Sequence, residues 1–238
     1  MTQSPSRPTN IAENLAQIQQ NILEFCQKYQ RKPEDVQLLA VSKTKPAEDI
    51  RAAFNAGQTH FGENYLQESI EKIHNLSDLE IVWHFIGSIQ SNKTRELAEN
   101  FSWVHSVDRL KIAHRLSQQR AESLPPLNIC LQVNISQEAS KSGFSIDEIE
   151  PVVDEVISLP KISLRGLMAI PAKASTLKEQ RKAFAQMKAL LESLQRKHPQ
   201  IDTLSMGMSG DMEAAIAEGS TLLRIGTAIF GARNLSGL

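Results

Sequence analysis

The sequence predicts an α/β protein folded as a single-domain (β/α)8 barrel, on three observations. Apolar runs of strand length recur eight times, helical segments separate them, and no linker, repeat or low-complexity stretch divides the chain. Strict strand–helix alternation demands parallel strands joined by right-handed crossovers, and eight such units in 238 residues fit a closed barrel. The alternative is an open doubly wound sheet, which would carry a G-x-G-x-x-G phosphate turn after its first strand; the turn here reads SKTKP.

In chain order, residues 1–10 are a polar lead-in containing Pro and Ser, expected to be flexible. Ile11, Leu15, Ile18, Ile22 and Phe25 recur at helical spacing, which predicts a first helix ending before Pro33. Strands are expected at 36–42, 59–63, 81–87, 102–107, 127–135, 163–170, 202–206 and 221–226. Segments such as AEDIRAAFNAG, NYLQESIEKI and KEQRKAFAQMKALLESLQRK place apolar residues every three to four positions and supply the helices between them. The barrel is expected to occupy 11–234, with 235–238 as a tail.

Composition narrows the function. With 26 Lys+Arg against 27 Asp+Glu the net charge is −1, so no global field draws in nucleic acid or an anionic membrane. Cys26 and Cys130 are the only cysteines, without CxxC spacing or clustered histidines, which suggests neither a disulfide framework nor a metal site; both are expected to be ordinary half-buried thiols. The N-terminus lacks an apolar signal core and no later run is long enough to span a bilayer, so a cytoplasmic protein is expected.

In a barrel, functional groups collect at the carboxyl ends of the strands. Period-2 alternation puts Leu39, Val41 and Lys43 on one face, so an inward Leu39 brings the Lys43 amine to the cavity mouth, with Lys45 beyond it. Partial desolvation and the like charge of Lys45 favour a neutral, nucleophilic amine able to form an imine with an aldehyde. The competing reading is a lysine that reaches solvent.

Two later loops suggest an anion. In TLSMGMSGDMEAA a strand runs through Gly207, Ser209 and Gly210 directly into a helix, and backbone N–H groups with a hydroxyl make a cradle; the plainer reading has Ser209 as an N-cap. In LLRIGTAIFGARN, Gly226 and Thr227 stand just past the eighth strand. Loops after strands seven and eight commonly hold phosphate in such barrels, so the two weak cues reinforce each other. Arg224, inside that apolar strand, needs a partner, either a buried carboxylate or a ligand ring nitrogen that a guanidinium would keep unprotonated. Asn64, His84 and Asn134 lie near strand ends, although His84 between Trp83 and Phe85 also reads as a hydrogen-bonded core residue, and Lys141 is a second loop amine.

The segments LLAVSKTKP, FGENY, WHFIGSIQSNK, NISQEASKSGF, LRGLMAIP, LSMGMSGDMEAAI and RIGTAIFGAR resemble the pyridoxal-phosphate homeostasis proteins, the YggS/PROSC family, over nearly the whole chain. The resemblance implies a barrel similar to the alanine racemase N-terminal domain, with pyridoxal 5′-phosphate held as an imine (Schiff base) on Lys43. It further implies that Ser209, Gly210, Gly226 and Thr227 hold the phosphate, that Arg224 faces the pyridine nitrogen, and that Asn64, His84 and Met168 line the cofactor site. The family is regarded as a cofactor carrier and regulator of vitamin B6 pools without an established reaction, so the resemblance implies no catalysis. GARNLSGL lacks the terminal lysines of some relatives, which leaves Lys141 as the available loop amine for any transfer to apo-enzymes.

Two enzymatic alternatives stand beside the carrier. An amino-acid racemase using the same cofactor needs a second acid–base group, often a tyrosine, and the tyrosines here are Tyr29 and Tyr65. A racemase of the resembled fold also covers its site with a second, mostly β domain, which this chain lacks; the same lack removes the usual reason to dimerise, so a monomer is expected. A cofactor-free aldolase would need the lysine but not Arg224 beside a ring nitrogen.

Overall fold

In a computed structural model of the chain, which describes residues 10–136 and 142–232, eight parallel strands form one closed barrel in sequence order. They are β1 (Gln37–Val41), β2 (His60–Glu63), β3 (Val82–Phe85), β4 (Trp103–Val107), β5 (Leu127–Gln132), β6 (Ile162–Met168), β7 (Thr203–Ser205) and β8 (Leu222–Ile225). Seven lie inside the runs that predict them, and β6 starts one residue early. β5 stops at Gln132, short of the expected 135, because Val133 pairs only as an isolated bridge with Phe144. Residues 1–9, Lys141 and 233–238, with the expected tail at 235–238, lie outside the described residues.

The helices are α1 (Ile11–Lys28), α2 (Ala47–Asn55), α3 (Leu66–Asn75), α4 (Thr94–Asn100), α5 (Leu110–Gln119), α6 (Ile149–Ile157), α7 (Leu177–Gln195), α8 (Met212–Ala217) and α9 (Thr227–Phe230). Local chemistry marks their starts: the Asn10 side chain accepts from Glu13 N at 3.2 Å, and Thr176 with Glu179 forms a capping box. Helix α1 precedes the repeat and buries Ile11, Leu15, Ile18, Ile22 and Cys26. It packs on α2, α8 and α9, bracing the seam where β8 meets β1. No helix among the described residues is long and apolar enough to cross a membrane.

The apolar core lies between the sheet and the helices, where Phe61, Val104, Ile129 and Leu204 from the strands meet Ile50, Leu116 and Phe184 from the helices. Each such side chain contributes roughly 1.5–3 kcal/mol when fully buried. The opposite strand face lines the bore. In-register partners there are Leu39 with Arg224, Gly62 with His84, His84 with Trp103, and Met168 with Ser205. Barrel bores are usually filled with branched aliphatics, whereas this one is strongly polar.

Gly166 sits where the β5–β6 register shifts. A Cβ there would stand 1.8 Å from the Thr203 carbonyl oxygen, so only glycine permits this strand approach. Cys26 and Cys130 are fully buried, not half-buried as expected, since both face packed interior. Burial pushes the Cys130 thiol up to about 12, which leaves it unreactive at neutral pH.

Candidate functional site

Lys43 lies two residues past the carboxyl end of β1, in the first βα loop, and is half-buried. The loop that presents it is held from beneath by buried charge. Ser42 Oγ donates to Glu63 Oε1 at 2.6 Å, while Lys72 Nζ donates to Ser42 O at 2.8 Å, to Glu63 Oε1 at 2.9 Å and to Glu68 Oε1 at 2.5 Å. Thr44, a β-branched residue at φ 62°, donates its N–H to Glu68 Oε1 at 2.6 Å, which offsets an otherwise unfavourable left-handed conformation. Desolvation raises the Glu63 pKa, and the adjoining Lys72 ammonium opposes that rise.

The two loop lysines are distinguished by their surroundings. Lys45 Nζ donates to the carbonyls of Phe230 and Ala232 at 2.8 and 2.9 Å, tying the first βα loop to the end of α9. Lys45 therefore serves as a brace.

The loops after β7 and β8 flank that position. At Gly207, with φ 99°, an added Cβ would stand 2.5 Å from Ala215 Cβ and 2.8 Å from Leu223 Cδ2, so glycine is required. Ser209 is not an N-cap, as the plainer reading had it; Asp211 occupies the cap of α8, and its Oδ1 accepts from Met208 N at 2.6 Å. The Ser209 and Gly210 N–H groups donate to no described residue, and a Cβ on Gly210 would meet nothing within 4 Å. Gly226 caps α9 close to Val41, whose carbonyl oxygen would lie 3.1 Å from a Cβ there, and Thr227 begins the helix exposed. First-turn N–H groups of a helix have no intrahelical acceptors. Since β8 pairs with β1, these amides adjoin the loop of Lys43.

Arg224 is buried, yet among the described residues no carboxylate hydrogen-bonds to it, although the Asp211 charge favours its ionised form. Nη1 donates to Ser205 O at 2.6 Å and to Ser205 Oγ at 2.7 Å, and Nη2 donates to Ala169 O at 3.0 Å. The Nε–H and one Nη2–H are left over from these contacts, a donor set suited to an acceptor in the bore. Burial lowers the guanidinium to about 10, so it stays charged at neutral pH.

Asn64 lies just past β2, with a buried Oδ1 that has no hydrogen-bond partner among the described residues. Met168 is buried outside the sheet–helix core, beside Ser205 in register. His84 matches its reading as a hydrogen-bonded core residue: it is fully buried and lines a cavity of about 450 Å³ at the opposite, N-terminal mouth. It lies one residue before the end of β3 at Phe85. Asn134 follows β5, where its backbone N–H donates to Phe144 O at 2.9 Å.

His84 belongs to a line that the sequence reading missed. His60 Nδ1 lies 2.9 Å from His84 Nε2, His84 Nδ1 lies 2.9 Å from His105 Nε2, and His105 Nδ1 lies 2.8 Å from Ser205 Oγ. The line thus reaches Arg224. Trp103 stacks on His84 with ring centroids 5.3 Å apart. Desolvation depresses all three imidazoles; His105, also beside the Arg224 charge, falls to about 3. The available signal was a histidine of inward parity in each of three successive strands, HFGE, VWHF and WVHSV.

Residues 14–234 match the family model of the alanine racemase N-terminal domain, which sets the class: a single closed barrel of eight parallel strands. The chain is 57% identical over 226 residues to the pyridoxal phosphate homeostasis protein of Pseudomonas aeruginosa, covering 95% of this chain and 97% of that one. It is 53% identical to the protein of that name from Escherichia coli K12, covering 95% and 98%. The chain therefore belongs to the pyridoxal phosphate homeostasis protein family. Among solved structures, PipY of Synechococcus elongatus with PLP bound superposes with a TM-score of 0.81 at 39% identity, covering 93% of this chain and all of that one. Alanine racemase of Clostridium difficile superposes at 0.76 with 15% identity, covering 98% of this chain but 61% of that one, a likeness of fold.

Proposed function

We propose that this chain binds pyridoxal 5′-phosphate and serves vitamin B6 homeostasis as a cytoplasmic carrier that buffers or delivers the cofactor, with Lys43 as the covalent anchor for its aldehyde. The observation that carries the reading is the 57% identity across 95% of the chain to a protein of that name, combined with a relative solved with PLP bound. The donor set agrees with it. Arg224 offers two N–H groups to a ring acceptor, Asn64 Oδ1 is a buried acceptor in want of a donor, and the Ser209, Gly210, Gly226 and Thr227 segment offers amides to a dianion.

When bound, the cofactor supplies an electron sink for amine chemistry. In this chain Arg224 keeps its proton, so a ring nitrogen facing it accepts a hydrogen bond and remains unprotonated, which weakens the sink. Tyr29, one candidate acid–base partner for a racemase, donates its hydroxyl to Glu213 Oε1 at 2.8 Å, away from the bore; Tyr65 is half exposed beside Asn64. Both features favour holding over turnover. Apo-enzymes that depend on the cofactor are the proposed recipients, and the chain is proposed to act as a monomer.

Borohydride reduction of the loaded protein followed by peptide mass spectrometry tests the anchor. The label is expected on Lys43 and absent from Lys43→Ala; a label on Lys45 would overturn the assignment. Incubation with single amino-acid enantiomers, followed by optical rotation, separates carrier from racemase: Lys43-dependent turnover would reject the carrier.

A further inference from the structure

We propose that Ser205, His105, His84 and His60 are positioning residues for Arg224, forming a one-way hydrogen-bond line whose direction Arg224 sets; its bearing on a bound ring rests on the reading of the upper site above. The direction follows from donor counting. A guanidinium only donates, so Ser205 Oγ accepts from Arg224 at 2.7 Å, and the neighbour able to take the hydroxyl proton is His105 Nδ1 at 2.8 Å. His105 then carries its proton on Nε2 and donates to His84 Nδ1, and His84 donates from Nε2 to His60 Nδ1, each across 2.9 Å. The remaining N–H, on His60 Nε2, belongs to the half-buried ring at the lower cavity. One tautomer is dictated at every ring.

This direction gives Arg224 a neutral acceptor where buried arginines usually meet a carboxylate. Its charge stays available to the ring. The line also has no vacancy for a further proton, because each imidazole nitrogen either bears hydrogen or accepts one. Reversing the line would aim both His105 and Arg224 at the single serine oxygen and strand its hydroxyl proton. The ionisable groups around it do not supply an alternative acceptor: Arg31, Asp35, Arg165 and Asp202 stand at the lower mouth, Arg165 engages Asp202 at 2.5 Å, and the Cys130 thiol lines the wall. At the upper mouth Asp211 accepts from Met208 N.

Long-range ¹H–¹⁵N correlation spectra of the cofactor-free, ¹⁵N-histidine protein at neutral pH test the line directly. His60, His84 and His105 are expected as neutral Nε2–H rings; an Nδ1–H or doubly protonated His84 or His105 overturns the proposal. Ser205→Ala is expected to release His105 from its single tautomer, and Ser205→Thr to restore it. An unchanged His105 in Ser205→Ala also overturns it, and if that variant does not fold, the wild-type spectrum decides. In loaded protein, the pH midpoint of the visible absorption should move by about one unit in Ser205→Ala and return in Ser205→Thr; a fixed midpoint overturns the action through Arg224. Absence of any reducible label on Lys43, with the tautomers as stated, would instead sink the cofactor reading and leave the line intact.

Discussion

The two faces of the same eight strands obey different rules. Val104 and His105 are adjacent in β4, both wholly buried, yet Val104 enters the apolar layer under the helices and His105 enters the bore. Outside, burial is non-directional, and any side chain of suitable volume contributes in proportion to area. Inside, each residue is fixed by what the next must donate or accept, so one exchange disturbs the whole row. The outer face holds the barrel closed, and the inner face prepares a charge within it.

Truncation separates the two faces most strongly. Phe61→Ala, on the outer face, should cost roughly 3–5 kcal/mol in urea unfolding without altering the bore; a cost no larger than that of a surface change would mean the outer layer is not the stabilising one. Acid probes the inner face next. His105 is depressed from 6.5 to about 3 in the folded chain, so the unfolded chain takes up the proton first. The stability this contributes is complete above about pH 6.5 and is lost as the pH falls toward 3, to the extent of several kcal/mol. His105→Gln should flatten that slope in melting curves, and an unchanged slope would assign the acid sensitivity elsewhere.

The buried brace beneath Lys43 gives a third, smaller contrast. Lys72→Met leaves the Glu63 carboxylate buried without its ion-pair partner and should cost about 3 kcal/mol. Adding Glu63→Gln should recover part of that, as read by the same unfolding midpoints. Least of all, Arg51→Ala removes an exposed pair with Asp78 and should leave the midpoint within the scatter of the wild type.

Much of this was legible in the linear chain because it depends on local period. Strand alternation put Lys43 just past β1, and glycine with hydroxyl spacing picked out the turns at Ser209 and Gly226, which follow β7 and β8 and so share its end of the barrel. Arg224 was flagged because a cation inside LLRI needs a partner, although its partners proved to be carbonyls and a serine. The imidazole line was not legible as a line. Its members come from β2, β3, β4 and β7, with 100 residues between His105 and Ser205, and only barrel closure makes them neighbours. His84 read alone was a packed histidine among aromatics; its meaning lies in the nitrogens on either side. Lys72 was hidden for a similar reason, since a lysine in LQESIEKIHN looks like the wet side of a helix until Ser42 and Glu63 are folded beneath it.

The grip of Lys45 on the carbonyls of Phe230 and Ala232 joins one of the earliest parts of the chain to one of the last. During synthesis the amine-bearing loop emerges long before anything that could oppose it, and the seam is latched only when the final strand and its short helix leave the ribosome.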